Sequence, residues 1–343
     1  MGVAITDLLV RKEIELKDLA NKTIVIDAPL YLYQFLSSIR QADGSLLTDS
    51  KGNVTSHLSG VFYRSLKLMQ QGIKIAYVFD GKAPDLKKKE REKREELKKE
   101  AELKYKEAAE KKDLVEMKKY AARTTRLTKE MIEEAKKLIE ALGLPIVEAP
   151  SEGEAQASHI VRRGDAYAVG TNDADALLFS APRLIRNLNI VGKRKKASRL
   201  AYETVSPEIV DLAENLNNLG IDNDQLIVLS MLVGTDYDAG IKGIGPKNAL
   251  KLVKEYKKDF DALFKQVKWD DFFGFPWTDV FYLIKKMPVT DKYSLKWKNI
   301  NKEDIFKILV DEHDFSEERI NGTLGSLIEE KEKQRQKGLS DFF

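Results

Sequence analysis

Residues 149–156 read APSEGEAQ and place two carboxylates, Glu152 and Glu154, at the start of a helix. The apolar run 144–147 leads into them. One reading is local: Ser151 caps the helix, and Glu154, three residues on, closes a capping box. Acids also favour helix N-termini because the macrodipole is positive there. A second reading comes from the rest of the chain. Asp27 ends the apolar run 23–26, and Asp80 ends 75–79. Asp173 and Asp175 follow 167–169 in GTNDAD, and Asp236 follows 229–233 in VGTDY. Carboxylates recur where an apolar segment stops. In an open α/β sheet the carboxyl ends of the strands share one edge, and ligands bind there. Acids gathered on one edge repel by about 4 kcal/mol per close pair at an effective dielectric near 20. Such a set needs cations, and carboxylate oxygens suit Mg²⁺.

Strands are expected at 23–26, 73–79, 144–147, 167–169 and 184–188. Helices are expected at 30–39, 58–70, 128–142, 154–162 and 222–232, with another from Pro246. Thr128 is a cap and Gly143 a stop for the third of these. Strands alternating with helices indicate an α/β fold: a central, mainly parallel twisted sheet with helices on both faces.

Composition narrows the chemistry. A chain of 343 residues can bury a full core, as one domain or two. Charged residues make up 33%, above the usual quarter, yet the formal net charge is only +3. Local patterns, not the total, must therefore identify partners. There is no Cys, which excludes disulfides and thiolate zinc sites, and the three His are scattered. No apolar run reaches the roughly 18 residues of a membrane span, and no signal peptide is read at the start. The expectation is a soluble, intracellular protein with no membrane partner.

After Asp80 the chain changes character. Residues 87–112 hold 12 basic and 8 acidic side chains, with Leu97 and Leu103 the only large aliphatics. As a helix this segment has almost no apolar face and spans about 39 Å at 1.5 Å per residue. It is either a solvated spacer or a projecting arm that meets nucleic acid. Its most basic part, LKKKEREKR, lies nearest Asp80, which favours the arm. Residues 192–199 form a basic loop, read as solvated rather than as a phosphate contact. The stretch 239–249, AGIKGIGPKNA, carries Gly240, Gly243 and Gly245 with Lys242 and Lys247. Glycines at that spacing let backbone amides approach a phosphate, with the positive end of the next helix behind them. The aromatic cluster of Trp269, Phe272, Phe273, Phe275, Trp277, Phe281 and Tyr282 is read as core rather than base stacking. Residues 329–338 are polar and without periodicity, hence expected to be disordered. The chain ends in Gln336, Leu339, Phe342 and Phe343, apolar anchors that need a partner.

Taken together, VIDAP, YVFDGKAP, EAPSEGEAQ, TNDADAL and LVGTDY followed by GIKGIGPKNAL resemble the motifs of flap endonucleases, the structure-specific 5′ nucleases of DNA replication and repair. The resemblance runs through the whole chain and is of archaeal type, implying a cytoplasmic enzyme of an archaeon. It implies hydrolysis of phosphodiesters at 5′ flap junctions, with an associated 5′ exonuclease activity. Asp27, Asp80, Glu152, Glu154, Asp173, Asp175 and Asp236 match the acidic set that holds two Mg²⁺, for which Mn²⁺ substitutes. Lys87 and Arg94 match the family's catalytic bases, and Tyr33 an aromatic that stacks near the scissile nucleotide. Gly2 is expected close to the site. The implied organisation is a nuclease domain, 1–328, with a helical arch, 87–126, and a DNA-binding helical hairpin, 222–260, carrying K⁺. A flexible tail, 329–343, follows. Its Gln336, Leu339, Phe342 and Phe343 are similar to the sliding-clamp-binding box of replication proteins, and the enzyme alone is expected to be a monomer. Ala83 stands where a common form of the motif has Pro. Two other readings stay open: a related 5′ nuclease with another preferred junction, and a noncatalytic clamp adaptor that binds DNA.

Overall fold

β2 (Thr23–Asp27) shows how the sequence builds the centre of the molecule. Ile24 and Ile26 point into one apolar core and Val25 into another, the two-residue alternation of a strand buried on both faces. The computed structural model describes residues 3–41, 43–111, 113–188, 192–195 and 202–340. Its strands also include β1 (Lys12–Glu13), β3 (Lys74–Phe79), β4 (Ile146–Glu148), β5 (Ala168–Gly170), β6 (Arg183–Arg186), β7 (Gly192–Lys195), β8 (Tyr202–Val205) and β9 (Glu208–Asp211). A seven-stranded sheet runs in the order β1-β9-β6-β5-β2-β3-β4. The five strands from β6 to β4 are parallel, whereas β9 pairs antiparallel with both β6 and β1.

One face is covered by α1 (Ala28–Ser38), α2 (Ser56–Gln70) and, further on, α5 (Lys129–Ala141). The other is covered by α6 (Gly153–Arg162), α7 (Asp175–Leu178) and α9 (Asn223–Val233). α5 follows its expected pattern: Ala135, Leu138 and Ile139 are buried, and the Thr128 side chain accepts from the Met131 amide. Between α2 and α5 stand α3 (Lys88–Glu110) and α4 (Leu114–Ala121). Leu97 and Leu103 on α3 are exposed, and among the described side chains of that helix only Ala101 and Ala108 are buried. The pair therefore stands on its own rather than on the core. Its return end is tied down by Arg126, 2.7 Å from Glu95 and 3.0 Å from Glu102. Arg40, just past α1, donates to Thr125 at 2.6 Å.

The remaining helices are α8 (Leu212–Leu219), α10 (Pro246–Tyr256), α11 (Phe260–Gln266), α12 (Trp269–Phe272), α13 (Trp277–Lys285), α14 (Lys302–Phe306) and α15 (Glu317–Ser340). Three expectations need correction. Residues 192–195, expected as loop, form β7 and pair with β8. Residues 329–338, expected to be disordered, continue α15. Ile320, Leu324 and Leu327 anchor that helix in the core, and the Glu, Lys, Gln and Arg that follow favour its extension. The aromatic cluster is core only in part. Trp269 and Phe281 are buried and Phe264 stacks on Trp277 at 4.7 Å, but Phe272 and Tyr282 are each 48% exposed. No helix among the described residues is long and apolar enough to cross a membrane.

Candidate active site

From β2 the chain moves to β3 and β4 on one side, then returns to β5 on the other side of β2. The order of connection reverses between β2 and β5, where an open parallel sheet leaves a crevice at its carboxyl edge. Asp27 ends β2, Asp80 follows β3, Glu152 and Glu154 follow β4, and Asp173 and Asp175 follow β5. Asp236 enters from the loop after α9.

The capping box expected at 151–154 does not form. The Ser151 hydroxyl donates to the Lys82 carbonyl at 3.0 Å. Glu152 is the N-cap residue of α6 but makes no side-chain cap bond. The cap comes from Asp80, whose Oδ1 accepts from the Gly153 amide at 2.6 Å. A Cβ at 153 would lie 2.8 Å from that oxygen, so the close approach requires glycine. Glu152 and Glu154 are thereby left for other work. Two residues apart at a helix start, they diverge. Glu154 joins Asp173 and Asp175, whose ligand oxygens all lie within 4.8 Å of one another. Thr171 donates to Glu154 at 3.0 Å, and the Val3 amide donates to Asp175 at 2.8 Å. Glu152 faces the foot of α3. Lys87 Nζ lies 2.5 Å from Glu152 and 3.2 Å from Asp236. Arg94 Nη2 lies 2.5 Å from Asp236, and its Nε lies 3.2 Å from Glu90.

Burial, then repulsion from Asp80, pushes the Asp27 carboxyl well above the usual range. Burial, then Asp173, Asp27 and Asp175, does the same to Glu154. Asp175 is raised by burial and then by Asp173 and Asp236, while Asp80 and Glu152 are raised chiefly by burial. Burial works against the Lys87 ammonium, but Glu152 and Asp236 outweigh it and raise it above its ordinary value. Lys87 and Arg94 do not balance these acids. At neutral pH the set must take up protons or cations. An all-oxygen donor set of clustered carboxylates fits a hard divalent cation.

Residues 3–101 match the XPG N-terminal domain, and residues 143–236 match the XPG I-region. The flap endonuclease 1 of Pyrococcus abyssi is 52% identical over 344 residues, covering 100% of this chain and 98% of that relative. This chain belongs to the flap endonuclease family. The solved flap endonuclease-1 of Methanococcus jannaschii superimposes with a TM-score of 0.74 at 42% identity, covering 97% of this chain and 100% of that one. The catalytic core of Rad2 in complex with DNA substrate shares the fold, with a TM-score of 0.70 at 23% identity over 95% of this chain and 100% of that one. As a flap endonuclease the chain is a phosphodiester hydrolase of the structure-specific nuclease class.

The other described residues singled out in this flap endonuclease stand on other elements. Tyr33 is 38% exposed on α1, with Lys98 of α3 5.3 Å from its ring centre. Lys242, Gly243, Gly245 and Lys247 are exposed at the turn into α10, where Gly245 is the N-cap residue. Gly240 differs: it is buried, and its amide donates to Asp238 at 2.9 Å. Its φ is +72°, and a Cβ there would lie 2.4 Å from the Val233 carbonyl. Gly240 shapes the turn, while Lys242, Gly243, Gly245 and Lys247 face solvent. Gln336 and Leu339 fall on the backbone of α15, while Gly2, Phe342 and Phe343 lie outside the described residues. Sequence reasoning missed Thr171, Glu90 and Val3. Thr171 stands in the quoted GTNDAD, but nothing in a lone Thr signals a bond to a Glu seventeen residues earlier.

Proposed function

We propose that this chain hydrolyses a phosphodiester at the junction of a 5′ DNA flap, using two Mg²⁺ held by Asp27, Asp80, Glu152, Glu154, Asp173, Asp175 and Asp236. The supporting observation is the meeting of these carboxylates with Lys87 and Arg94 at one end of a free-standing helical pair. Divalent cations bound there supply neutralising charge, an activated water and support for the leaving oxygen. Two of them cancel four of the seven acidic charges, and Lys87 and Arg94 cancel two more. Both side chains can turn from their carboxylates to a phosphate oxygen, a strong charge-assisted contact. Thr171 holds Glu154, and the Val3 amide holds Asp175, in fixed orientations. Residues 87–126 act as the arch over the single strand, Tyr33 stacks near the scissile nucleotide, and 5′ exonuclease activity accompanies flap cutting. The enzyme works as a monomer inside an archaeal cell. The test is cleavage of flap, nicked, bubble and blunt duplex DNA with and without EDTA. Preference for the flap, lost in EDTA, is expected. Equal cutting of all four, or cutting in EDTA, overturns the reading.

The turn into α10, with K⁺ beside it, holds duplex backbone in this reading. Lys242→Ala with Lys247→Ala should weaken binding to duplex-containing DNA of any sequence. It should also reduce the slope of log K against log salt by about 2, one unit per lost phosphate contact. An unchanged slope means these lysines do not touch the backbone.

The tail supplies a clamp contact through Gln336, Leu339, Phe342 and Phe343. Apolar anchors of this kind are worth about 2 kcal/mol or more each but are not additive. Phe342→Ala with Phe343→Ala should cost roughly 10²-fold in clamp affinity. It should also abolish clamp stimulation, which arises from high effective concentration. Cleavage without clamp should be unchanged. Stimulation that survives the double substitution places the contact elsewhere.

A further inference from the structure

A cavity of about 360 Å³ lies between the foot of α3 and the loop after α12. That size falls within the range of small-molecule pockets. Leu86, Ala239, Phe273 and Phe275 line it, with the half-exposed Phe272 beside them. Asp236 belongs both to this lining and to the acid cluster. The pocket therefore borders the acid cluster at Asp236, beside which the proposed reading puts the scissile phosphate. Its remaining charged lining is Asp85, Glu90 and Lys93, two carboxylates against one ammonium, while the buried Asp238 has both oxygens bonded, to Thr235 and the Gly240 amide. That balance repels a phosphate, while the aromatic walls accept a flat apolar face. A nucleobase presents such a face, and stacking on aromatic side chains tolerates any base. A base inside a duplex is already stacked and paired, so an unpaired nucleotide is the one free to enter. Beyond Asp85 and Leu86 an open groove continues past Tyr282 and Lys286. This gives the rest of a single strand a way out.

We propose that this cavity receives the base of the first unpaired flap nucleotide, stacked on Phe272, while its phosphate lies beside Asp236. The proposal rests on the flap-cleavage reading and deepens it. The Phe272 side chain is 48% exposed, so its substitution should leave folding intact, as a melting curve checks.

The probe is flap DNA carrying 2-aminopurine at the first unpaired position, bound to the cleavage-deficient Asp175→Asn enzyme. Stacking quenches this base. Quenching is expected with Phe272 and with Phe272→Tyr, and loss of quenching with Phe272→Leu, which keeps apolar bulk without a ring. In the otherwise wild-type enzyme, an abasic nucleotide at that position should weaken flap binding about tenfold. In Phe272→Ala the same abasic change should cost less than about twofold, because the partner is already gone. Equal abasic losses in both proteins, or quenching that persists in Phe272→Leu, overturn the proposal. Failure of the wild-type enzyme to cut an unmodified flap would instead overturn the flap reading itself.

Discussion

Asp175→Asn should lower single-turnover flap cleavage by about 10³-fold or more while flap-DNA affinity stays within about tenfold. The substitution removes charge and little else. Asp175 Oδ1 accepts from the Val3 amide at 2.8 Å, and an Asn carbonyl can accept the same bond. The N-terminal segment therefore stays in place. One unit charge facing a cation at about 4 Å is worth about 4 kcal/mol at an effective dielectric near 20. That energy corresponds to about three powers of ten in rate. In the proposed reading binding is spread over the duplex and the arm, so it should change far less.

Stability supplies an independent readout. Burial, then Asp173 and Asp236, holds the Asp175 carboxyl well above its unfolded value. Below about pH 4 the group is protonated in both states and costs nothing. As pH rises past the unfolded value, the unfolded chain ionises first, and the folded state loses stability. In EDTA at neutral pH, Asp175→Asn should therefore melt above the wild type. With Mg²⁺ the wild type should gain more than the variant. Near-normal cleavage by Asp175→Asn would remove Asp175 from the cation site, and equal melting in EDTA would show that its charge carries no cost there.

The acids were legible in the sequence because each one stops an apolar run, and a parallel sheet brings such stops to one edge. The central strands were legible for the same reason: β2, β3 and β5 are buried on both faces and read as unbroken β-rich runs. The sheet's other edge was not. β1 is two exposed residues, Lys12 and Glu13, and β9 is four residues directly after Ser206-Pro207, so neither offers a period. The capping box failed because spacing along the chain cannot show that Asp80, from another strand, reaches the Gly153 amide first. The aromatic cluster misled in part because composition does not separate Trp269, buried, from Phe272, three residues on and half exposed. Low hydropathy in 329–338 predicts lack of structure, whereas its residues are good helix formers continuing an anchored helix.

Arg94→Ala should lower single-turnover cleavage by about 10³-fold, near the top of the range for losing one preorganised donor to developing charge. Binding should fall less than about tenfold. Arg94 bridges Glu90 of its own helix and Asp236 of the acid cluster, 3.2 and 2.5 Å away. Lys87, about two turns earlier, already holds the other oxygen of Asp236. The two bases thus enter the site from the same helical foot. Arg94 is about one-third exposed, so losing its ion pairs should cost at most about 1 kcal/mol of stability, and the variant should remain folded. The rate loss must then come from charge missing where the scissile phosphate gains it. Arg94→Lys tests geometry at constant charge. A single ammonium cannot span Glu90 and Asp236 as the guanidinium fork does, so only part of the rate should return. Full recovery by Lys would show that charge alone matters. Equal losses in binding and rate for Arg94→Ala would make Arg94 an anchor for the phosphate backbone, with Lys87 left as the base that serves the reaction.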